Sequence, residues 1–212
     1  MQSRKRLFIV GAGNMGRELE SWLSLIPSEK SGWEIIGFLS DVPDALTGFP
    51  SEFKILGTIN DYPLQQEDYL LLAISDPKDK KEVYKRLEGR ARMFSFIYPD
   101  VIIGKYTRIG KGCIILPGSI ISNNVTLGDF ITINCGTQIG HDCVIGQFSS
   151  LMSNADLGGK CILGEGVFMG TNSTCLPEKT IAPNTYVGSG AIVVRNINSP
   201  GTYFGNPAKL LK

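Results

Sequence analysis

His141 is the only histidine in the chain, and Asp142 follows it directly. An imidazole titrates near neutral pH and can accept a proton from a substrate, while a carboxylate beside it can favour the charged form of the ring. Together the two residues predict a general base with an orienting acid. Two less specific interpretations stay open: a lone surface histidine is usually inert, and Asp142 could form an ion pair with Lys160, alone or in addition.

A second group of residues is suited to binding phosphate. The segment Gly11-Ala12-Gly13-Asn14-Met15-Gly16 follows an apolar run at 7–10 and precedes an amphipathic helical pattern at 17–26. In the order strand, glycine turn and helix, the glycines let a ligand approach the backbone, and the N–H groups at the start of the helix attract phosphate. The alternative is that the glycines only make a tight turn.

Polar residues also follow the next two predicted strands. Ser40 and Asp41 come after a strand at 34–39, and Ser75 comes after a strand at 69–74. Because the carboxyl ends of parallel strands meet at one edge of a sheet, these side chains are expected to share a crevice with the glycine turn.

The rest of this region is short. A helix is expected at 77–87 and a last strand, leading into the next domain, at 93–97. The region is about half the length of a full dinucleotide-binding fold, so it has room for one nucleotide rather than for NAD.

His141 lies in a repeat with a period of six residues. From residue 97 to residue 193, every sixth residue is aliphatic or sulfur-bearing, without a break: Ile97, Ile103, Ile109, Ile115, Ile121, Leu127, Ile133, Ile139, Ile145, Leu151, Leu157, Leu163, Met169, Cys175, Ile181, Val187 and Val193. Helices bury residues at spacings of three and four and strands at two, so a period of six indicates a repeating unit, one face of a parallel β-helix. Three faces make a coil of roughly 18 residues, and the run gives between five and six coils.

The other places of the hexad support this prediction. The second place is usually glycine, which is expected to make a sharp corner with positive φ, and the fifth place is mostly small and is expected to point inward. His141 occupies the third place and is expected to point outward, with Asn123 one coil below it and Gly159 one coil above. Phe130 and Phe148 share another outward place, and we expect an exposed aromatic pair there that needs a covering partner.

Composition excludes several classes of protein. The 212 residues are 42% apolar and carry a net charge of +1, which gives no field for nucleic acid or anionic lipid. No signal peptide is recognisable, so a cytoplasmic location is expected. The five cysteines lack a CxxC pair, and four of them fall at inward places, so they are expected to be packing residues without a metal.

These observations predict two domains, an α/β half-Rossmann nucleotide-binding domain at 1–96 and an all-β left-handed parallel β-helix with a C-terminal tail at 97–212. The hexads, the segment from Ile139 to Gly146 around His141 and the ending Gly205-Asn206-Pro207-Ala208-Lys209 resemble left-handed β-helix (hexapeptide-repeat) acetyltransferases. With the short glycine-turn domain in front, the whole chain resembles the branch that N-acetylates nucleotide-linked amino sugars and includes sialic acid O-acetyltransferases.

The resemblance implies roles for particular residues. His141 would be the catalytic base and Asp142 its acidic partner, at a place where some relatives carry Glu. Acetyl-CoA, the co-substrate, would lie in a groove between two neighbouring β-helices of a homotrimer. The coenzyme contacts implied are Ser150, Gly159, Thr171 and Ser189; the sugar-nucleotide contacts implied are Gly11, Gly13, Asn14, Met15, Ser40, Asp41 and Ser75.

The function expected from this resemblance is transfer of acetyl from acetyl-CoA to the amino group of a nucleotide-linked 4-amino-4,6-dideoxy sugar, for bacterial surface-glycan synthesis. The alternatives are O-acetylation of sialic acid and a non-catalytic β-helix that binds a nucleotide. A zinc carbonic anhydrase on the same fold needs three histidine ligands, and the chain has one. The nucleotide, the sugar epimer and the ring position of the amine are not readable from the sequence.

Overall fold

A computed structural model describes residues 4–211, and its architecture confirms the predicted fold class. The chain forms two compact units that divide between Phe94 and Ser95, with residues 76–78 grouped with the second unit. In the part of the chain described, no helix combines the length and apolar character needed to cross a membrane.

The first unit is an open parallel sheet with strand order β3-β2-β1-β4-β5. Strand β1 lies at the centre, with the strands that follow it in sequence on both sides, so the order of connection reverses there. In such sheets ligands bind outside the carboxyl ends of the strands at this reversal. The elements are β1 (Lys5–Val10), α1 (Asn14–Ser24), α2 (Ser28–Ser31), β2 (Trp33–Leu39), β3 (Ile55–Gly57), β4 (Tyr69–Leu72), α3 (Pro77–Leu87) and β5 (Arg92–Met93).

Three sequence expectations for this unit need correction. Helix α1 begins at Asn14 rather than at 17, because the glycine turn already supplies its first turn. The strand expected at 93–97 is split: Arg92–Met93 pairs in the first sheet, whereas Phe96–Ile97 pairs in the β-helix. The short elements β3 and α2 carry no apolar periodicity and were not predicted.

The second unit is a three-faced parallel β-helix in which each short strand pairs with the strand one coil away. We number its faces in chain order. Face one contains β6 (Phe96–Ile97), β9 (Ile114–Ile115), β12 (Thr132–Ile133), β15 (Ser150–Leu151), β18 (Phe168–Met169) and β21 (Thr185–Val187), continued by β23 (Gly201–Phe204) and β24 (Lys209–Leu210). Face two contains β7 (Ile102–Ile103), β10 (Ile120–Ile121), β13 (Gln138–Ile139), β16 (Asp156–Leu157), β19 (Thr174–Cys175) and β22 (Ile192–Val193). Face three contains β8 (Arg108–Ile109), β11 (Thr126–Leu127), β14 (Val144–Ile145), β17 (Ile162–Leu163) and β20 (Thr180–Ile181).

The core of the β-helix is the ladder of first-place residues. From Ile115 to Val193 every one of them is at most 3% exposed. Ile97 and Ile103, in the first coil, are each 39% exposed, because no preceding coil covers them. The period of six therefore identifies the inward positions correctly, and the end coil is the place where burial is incomplete.

The corners of the β-helix differ from the expectation for glycine. Positive φ occurs at the fourth place of the hexad rather than at the second, for example at Asn124, Asp142 and Lys160. The second-place glycines are needed for close approach instead: a Cβ added at Gly140 would lie 2.6 Å from the backbone nitrogen of Gly159 in the next coil. Tight stacking of coils, rather than turn conformation, selects glycine there.

The expected exposure of Phe130 and Phe148 is wrong. Their rings do stack, with centroids 5.1 Å apart and an interplanar angle of 6°, but the residues are only 2% and 5% exposed. The Phe130 ring fills the space left by Gly112 one coil below, where an added Cβ would come within 2.5 Å of the ring. The pair is thus part of the packed corner and is not an uncovered face.

Candidate functional site

His141 lies at the corner between faces two and three, and its side chain points outward as expected, with 54% exposed. Its Nδ1 lies 2.7 Å from Oδ2 of Asp142. The left-handed backbone of Asp142, with φ of 61°, makes this contact between adjacent residues possible at the corner. A carboxylate accepts hydrogen bonds but does not donate them, so this geometry assigns the proton of the neutral ring to Nδ1 and leaves the lone pair on Nε2.

Asn124, one coil below Asp142, completes the support of the carboxylate. Its Nδ2 donates to Oδ1 of Asp142 over 2.7 Å, and the backbone N–H of Asp142 donates to the Asn123 carbonyl. The hydrogen bonds with His141 and Asn124 hold the pKa of Asp142 below its ordinary value, with a smaller contribution from the charge of Lys160. The sequence reading missed Asn124, although its spacing of 18 residues from Asp142 places it in the same hexad position.

The alternative ion pair between Asp142 and Lys160 is not what the structure shows. The Lys160 ammonium lies 3.6 Å from Oε1 of Glu178, in the next coil. Its backbone N–H donates to the His141 carbonyl, which ties this corner to the coil above.

Gly159 lies directly against the imidazole, as the sequence predicts. A Cβ added there would be 2.6 Å from Nε2 and 2.8 Å from Cε1 of His141. No side chain fits at this position without moving the ring. The missing side chain leaves the lone-pair side of His141 beside a stretch of bare backbone.

The other expected coenzyme contacts lie elsewhere on the β-helix. Thr171 and Ser189 are exposed and stack at the corner between faces one and two, so face two separates them from His141. Ser150 differs from them because it is fully buried in β15, opposite Thr132 and Phe168. Gly159 is therefore the member of this set that the structure brings against the imidazole.

Two thiols of the β-helix core, those of Cys143 and Cys175, are poor nucleophiles. Cys143 and Cys175 are fully buried. Hydrogen bonding with Cys161 and burial both raise the pKa of these two thiols, which keeps them protonated. All five cysteines are free thiols.

In the first unit, the glycine turn follows β1 at the point where the order of strands reverses. Gly11 has φ of 98° and its N–H donates to the Leu39 carbonyl. A Cβ at Gly16 would lie 2.0 Å from the Gly11 carbonyl oxygen, so the start of α1 packs on the turn more closely than any side chain allows. Gly13, at the N-cap of α1, is exposed and has open space around it.

The side chains of the turn take different directions. Asn14 is exposed, whereas Met15 is only 6% exposed and packs in the core of the unit, so its side chain does not reach a bound ligand. Arg17, which the sequence reading did not single out, donates to Oδ1 of Asn14 over 2.6 Å and stacks on Phe49 at 3.7 Å. It fixes the Asn14 side chain beside the turn.

The residues after β2 and β4 are held mainly by local contacts. Ser40 is 6% exposed, and its hydroxyl makes hydrogen bonds with the backbone of Val42. Asp41 accepts from the Ile59 N–H and pairs with Arg86 at 2.8 Å. Burial raises the pKa of Asp41, but these two contacts outweigh it and hold the pKa below its ordinary value. Ser75, after β4, is partly exposed.

The described residues contain no group of three or more His, Cys, Asp or Glu side chains arranged to hold a metal ion.

Comparison with known proteins finds a sequence match for the first unit and structural matches for the whole chain. Residues 6–87 match the PglD N-terminal domain. No curated protein matches the chain in sequence.

Solved structures match almost the entire chain. The acetyltransferase domain of PglB from Neisseria gonorrhoeae FA1090, in complex with acetyl coenzyme A, has a TM-score of 0.87 at 24% identity, covering 99% of this chain and 100% of that one. A mutant of perosamine N-acetyltransferase from Caulobacter crescentus, in complex with CoA and GDP-perosamine, has a TM-score of 0.86 at 22% identity, covering 100% and 98%. WeeI from Acinetobacter baumannii AYE has a TM-score of 0.84 at 21% identity, covering 98% and 100%.

The resemblance seen in the sequence is thus confirmed at the level of the fold: residues 6–87 match the PglD N-terminal domain, and the whole chain shares the fold of the PglB acetyltransferase domain and of perosamine N-acetyltransferase.

Proposed function

We propose that this protein transfers acetyl from acetyl-CoA to the amino group of a nucleotide-linked 4-amino-4,6-dideoxy sugar, with His141 as the general base, in bacterial surface-glycan synthesis. The observation that carries the proposal is the exposed imidazole whose Nδ1 is held by Asp142 while its Nε2 adjoins Gly159. The similar structures support the substrates, because one is described with acetyl coenzyme A and another with CoA and GDP-perosamine.

The reaction follows from the chemistry of the groups. An amine attacks a thioester through its lone pair, so Nε2 of His141 takes a proton from the amino group before or during attack. The new N–C bond forms, the C–S bond breaks, and the proton passes to the departing thiolate of CoA. Asp142 stabilises the imidazolium that exists between the two proton transfers.

Gly159 is the proposed source of oxyanion stabilisation. The tetrahedral intermediate carries negative charge on the former carbonyl oxygen, and a backbone N–H nearby stabilises it. The Gly159 carbonyl already accepts from the Glu178 N–H, so its amide is the group left to face the substrate. Transfer is direct in this proposal, because the Cys143 thiol is buried and protonated.

The remaining candidate residues differ in how well their positions and exposure fit the binding roles that the resemblance implies. Gly11, Gly13 and Asn14 are the strongest candidates to contact the sugar nucleotide, since they form the turn at the strand reversal. Asp41 and Ser75 keep partly exposed side chains at the same edge of the sheet. Thr171 and Ser189 remain candidates for the CoA chain, and Ser150 is the weakest because it is buried.

We propose a homotrimer that acts in the cytoplasm, where nucleotide-linked sugars and acetyl-CoA are available. The support for assembly is an exposed apolar pair on face three, beside the His141 corner. Val144 and Ile162 stack on neighbouring coils and are 44% and 48% exposed. Such a pair is typical of a surface covered by another subunit, and it replaces the phenylalanine pair that the sequence suggested.

The decisive experiment replaces His141 with Ala and with Asn and measures acetylation of nucleotide-linked 4-amino-4,6-dideoxy sugars across pH. We expect kcat to fall by about 100-fold or more, the range of general-base contributions, with circular dichroism unchanged. Undiminished turnover in a folded variant would remove the base role.

An acceptor panel separates this reaction from its alternatives. UDP-, dTDP- and GDP-linked amino sugars are compared with free and CMP-linked sialic acid in the presence of acetyl-CoA. Acetylation of the sialic acids alone would contradict the proposal in favour of O-acetylation. A thermal shift with nucleotides but not with CoA would favour a non-catalytic nucleotide-binding protein.

A further inference from the structure

The first unit contains a cavity of about 800 Å³ at the amino edge of its sheet. Lys5, Trp33, Tyr69 and Arg92 are the first residues of β1, β2, β4 and β5, and all four line it. The glycine turn follows the other ends of the strands. Since β1 has six residues, roughly 20 Å of strand separates the two edges.

The cavity is strongly cationic. Arg4, Lys5, Arg6 and Arg92 line it together with the carboxylate of Glu67, and Arg6 is paired with the buried Asp68 at 3.3 Å. Arg4, Lys5 and Arg92 are exposed. The three cationic side chains of Arg4, Lys5 and Arg92 around one concavity, in a chain whose net charge is only +1, concentrate positive potential at this place.

Aromatic rings hold these cations in position. The Lys5 ammonium lies 5.0 Å from the centroid of Tyr69 and 5.6 Å from that of Phe94, both within the range of cation–π attraction. Arg92 donates to the Tyr69 hydroxyl over 3.2 Å. This hydrogen bond, with the charges of Arg92 and Lys5, holds the pKa of Tyr69 below its ordinary value.

Trp33 adds a flat apolar surface. Its ring is half-buried and packs edge-on against Phe94, with centroids 5.5 Å apart. A cavity of this size matches the usual range for small-molecule sites, which combine apolar and aromatic walls with a few charged groups. Arginine and lysine side chains recognise phosphate, and a tryptophan face stacks on a planar ring.

We propose that this cavity binds a nucleoside diphosphate, with the phosphates on Arg4, Lys5 and Arg92 and the base against Trp33. The site is separate from the glycine turn and goes beyond the proposed acetyl transfer.

The test uses Trp33 as its own reporter. The chain has two tryptophans, Trp22 and Trp33, so Trp22→Phe in the full chain leaves Trp33 as the only indole fluorophore. This protein is titrated with UDP, GDP, uridine and inorganic pyrophosphate. We expect UDP and GDP to quench the emission at concentrations at least tenfold below those that uridine or pyrophosphate require.

Variants locate the binding. In the Trp22→Phe background, Arg92→Gln and Arg4→Gln are each expected to weaken UDP binding at least tenfold. Lys54→Gln, an exposed cation of the same unit that does not line the cavity, should change it by less than twofold. Thermal melting shows whether each variant is folded. If Arg92→Gln does not fold, Arg4→Gln still tests whether UDP binds in this cavity.

Three results would overturn the proposal: no quenching by UDP or GDP, quenching that is as strong in the two arginine variants, or pyrophosphate or uridine binding as tightly as UDP. None of them bears on acetylation, which is measured with the acceptor panel. A failure of the His141 experiment would equally leave the Trp33 titration intact.

Discussion

The two units hold their candidate functional residues in different ways. In the β-helix, His141 and Asp142 contact each other as neighbours in sequence, and the contacts that position them, from Asn124 and Gly159, come from residues about 18 positions away. In the α/β unit, the polar residues stand on loops after the strands, and each is tied by its own contacts, such as those of Asp41 with Ile59 and Arg86. The repeat holds the proposed base and its acidic partner by contacts that recur from coil to coil, whereas the loops provide positions that can change one at a time.

The largest effect is expected at Gly159, the position of the repeat that contacts the His141 ring. Gly159→Ala places a methyl group within 3 Å of the His141 ring and must displace it. We expect kcat to fall by about 100-fold or more, because the base loses its position. Steady-state kinetics and circular dichroism measure this, with Ser153→Ala, at the same hexad place of another corner, as the control. Normal turnover would show that the imidazole does not need this space.

A second comparison tests the close approach in the α/β unit. Gly16→Ala brings a Cβ onto the Gly11 carbonyl, so we expect a loss of about 1–3 kcal/mol in the free energy of unfolding. Gly13→Ala is the matched control, because no atom lies within 4 Å of its Cβ, and it should cost less than Gly16→Ala. Urea denaturation compares the two. Equal losses would mean that helix capping, rather than packing, determines the cost.

A smaller effect is expected from the support of Asp142. Asn124→Ala removes one hydrogen bond to the carboxylate but leaves its contact with His141, so we expect kcat to fall by less than about tenfold. Asn172→Ala is the control, because Asn172 also has positive φ at the fourth place, with the same backbone cost. If both variants lose activity equally, the role of Asn124 is only structural.

The pH dependence of Asn124→Ala has a defined sign. The folded-state pKa of Asp142 is lowered, so its carboxylate remains ionised as pH falls through the ordinary Asp range and is protonated only below it. Removing the Asn124 contact raises this pKa toward the ordinary value. The acid-side decline in activity that comes from Asp142 should therefore begin at a higher pH in the variant.

The smallest effect is expected from the ion pair between Asp41 and Arg86, which holds the loop after β2. Asp41→Asn keeps an acceptor for the Ile59 N–H but loses the charge pair with Arg86, which is partly exposed and worth about 0.5 kcal/mol after screening. Because the folded-state pKa of Asp41 is lowered, this stability is present above the unfolded pKa and is lost as pH falls through the folded pKa. The melting temperature of Asp41→Asn should be lower than that of the wild type at pH 7, and the two should become equal in strong acid. A difference in melting temperature that stays the same at every pH would show that loss of the charge pair is not its cause.

The sequence predicts most of the β-helix because its constraint is steric and repeats. A residue six positions from Ile133 must fill the same kind of space, so Ile139 is buried, and the outward place of His141 follows from the same count. The sequence does not predict how the corners are built. Glycine and positive φ both fit a corner, and only the stacked backbone shows that Gly140 is required by contact with Gly159.

The candidate site in the α/β unit was less predictable. The pattern of strand, glycine turn and helix gives the location of the turn but not the direction of each side chain within it. Met15 turns into the core and Ser40 into its own loop. Arg17 reaches Phe49, 32 positions further along the chain, through a loop whose path depends on long-range packing.

The last coil of the β-helix has a further consequence. Strand β23 adds to face one in parallel, β24 then turns back antiparallel, and Ile197 bridges to Ile181 beside face three. Open strand edges at the end of a rod would template end-to-end addition of further chains and lead to fibres. The C-terminal segment pairs its own backbone with these edges, so fewer open backbone groups are left at that end for another chain to pair with.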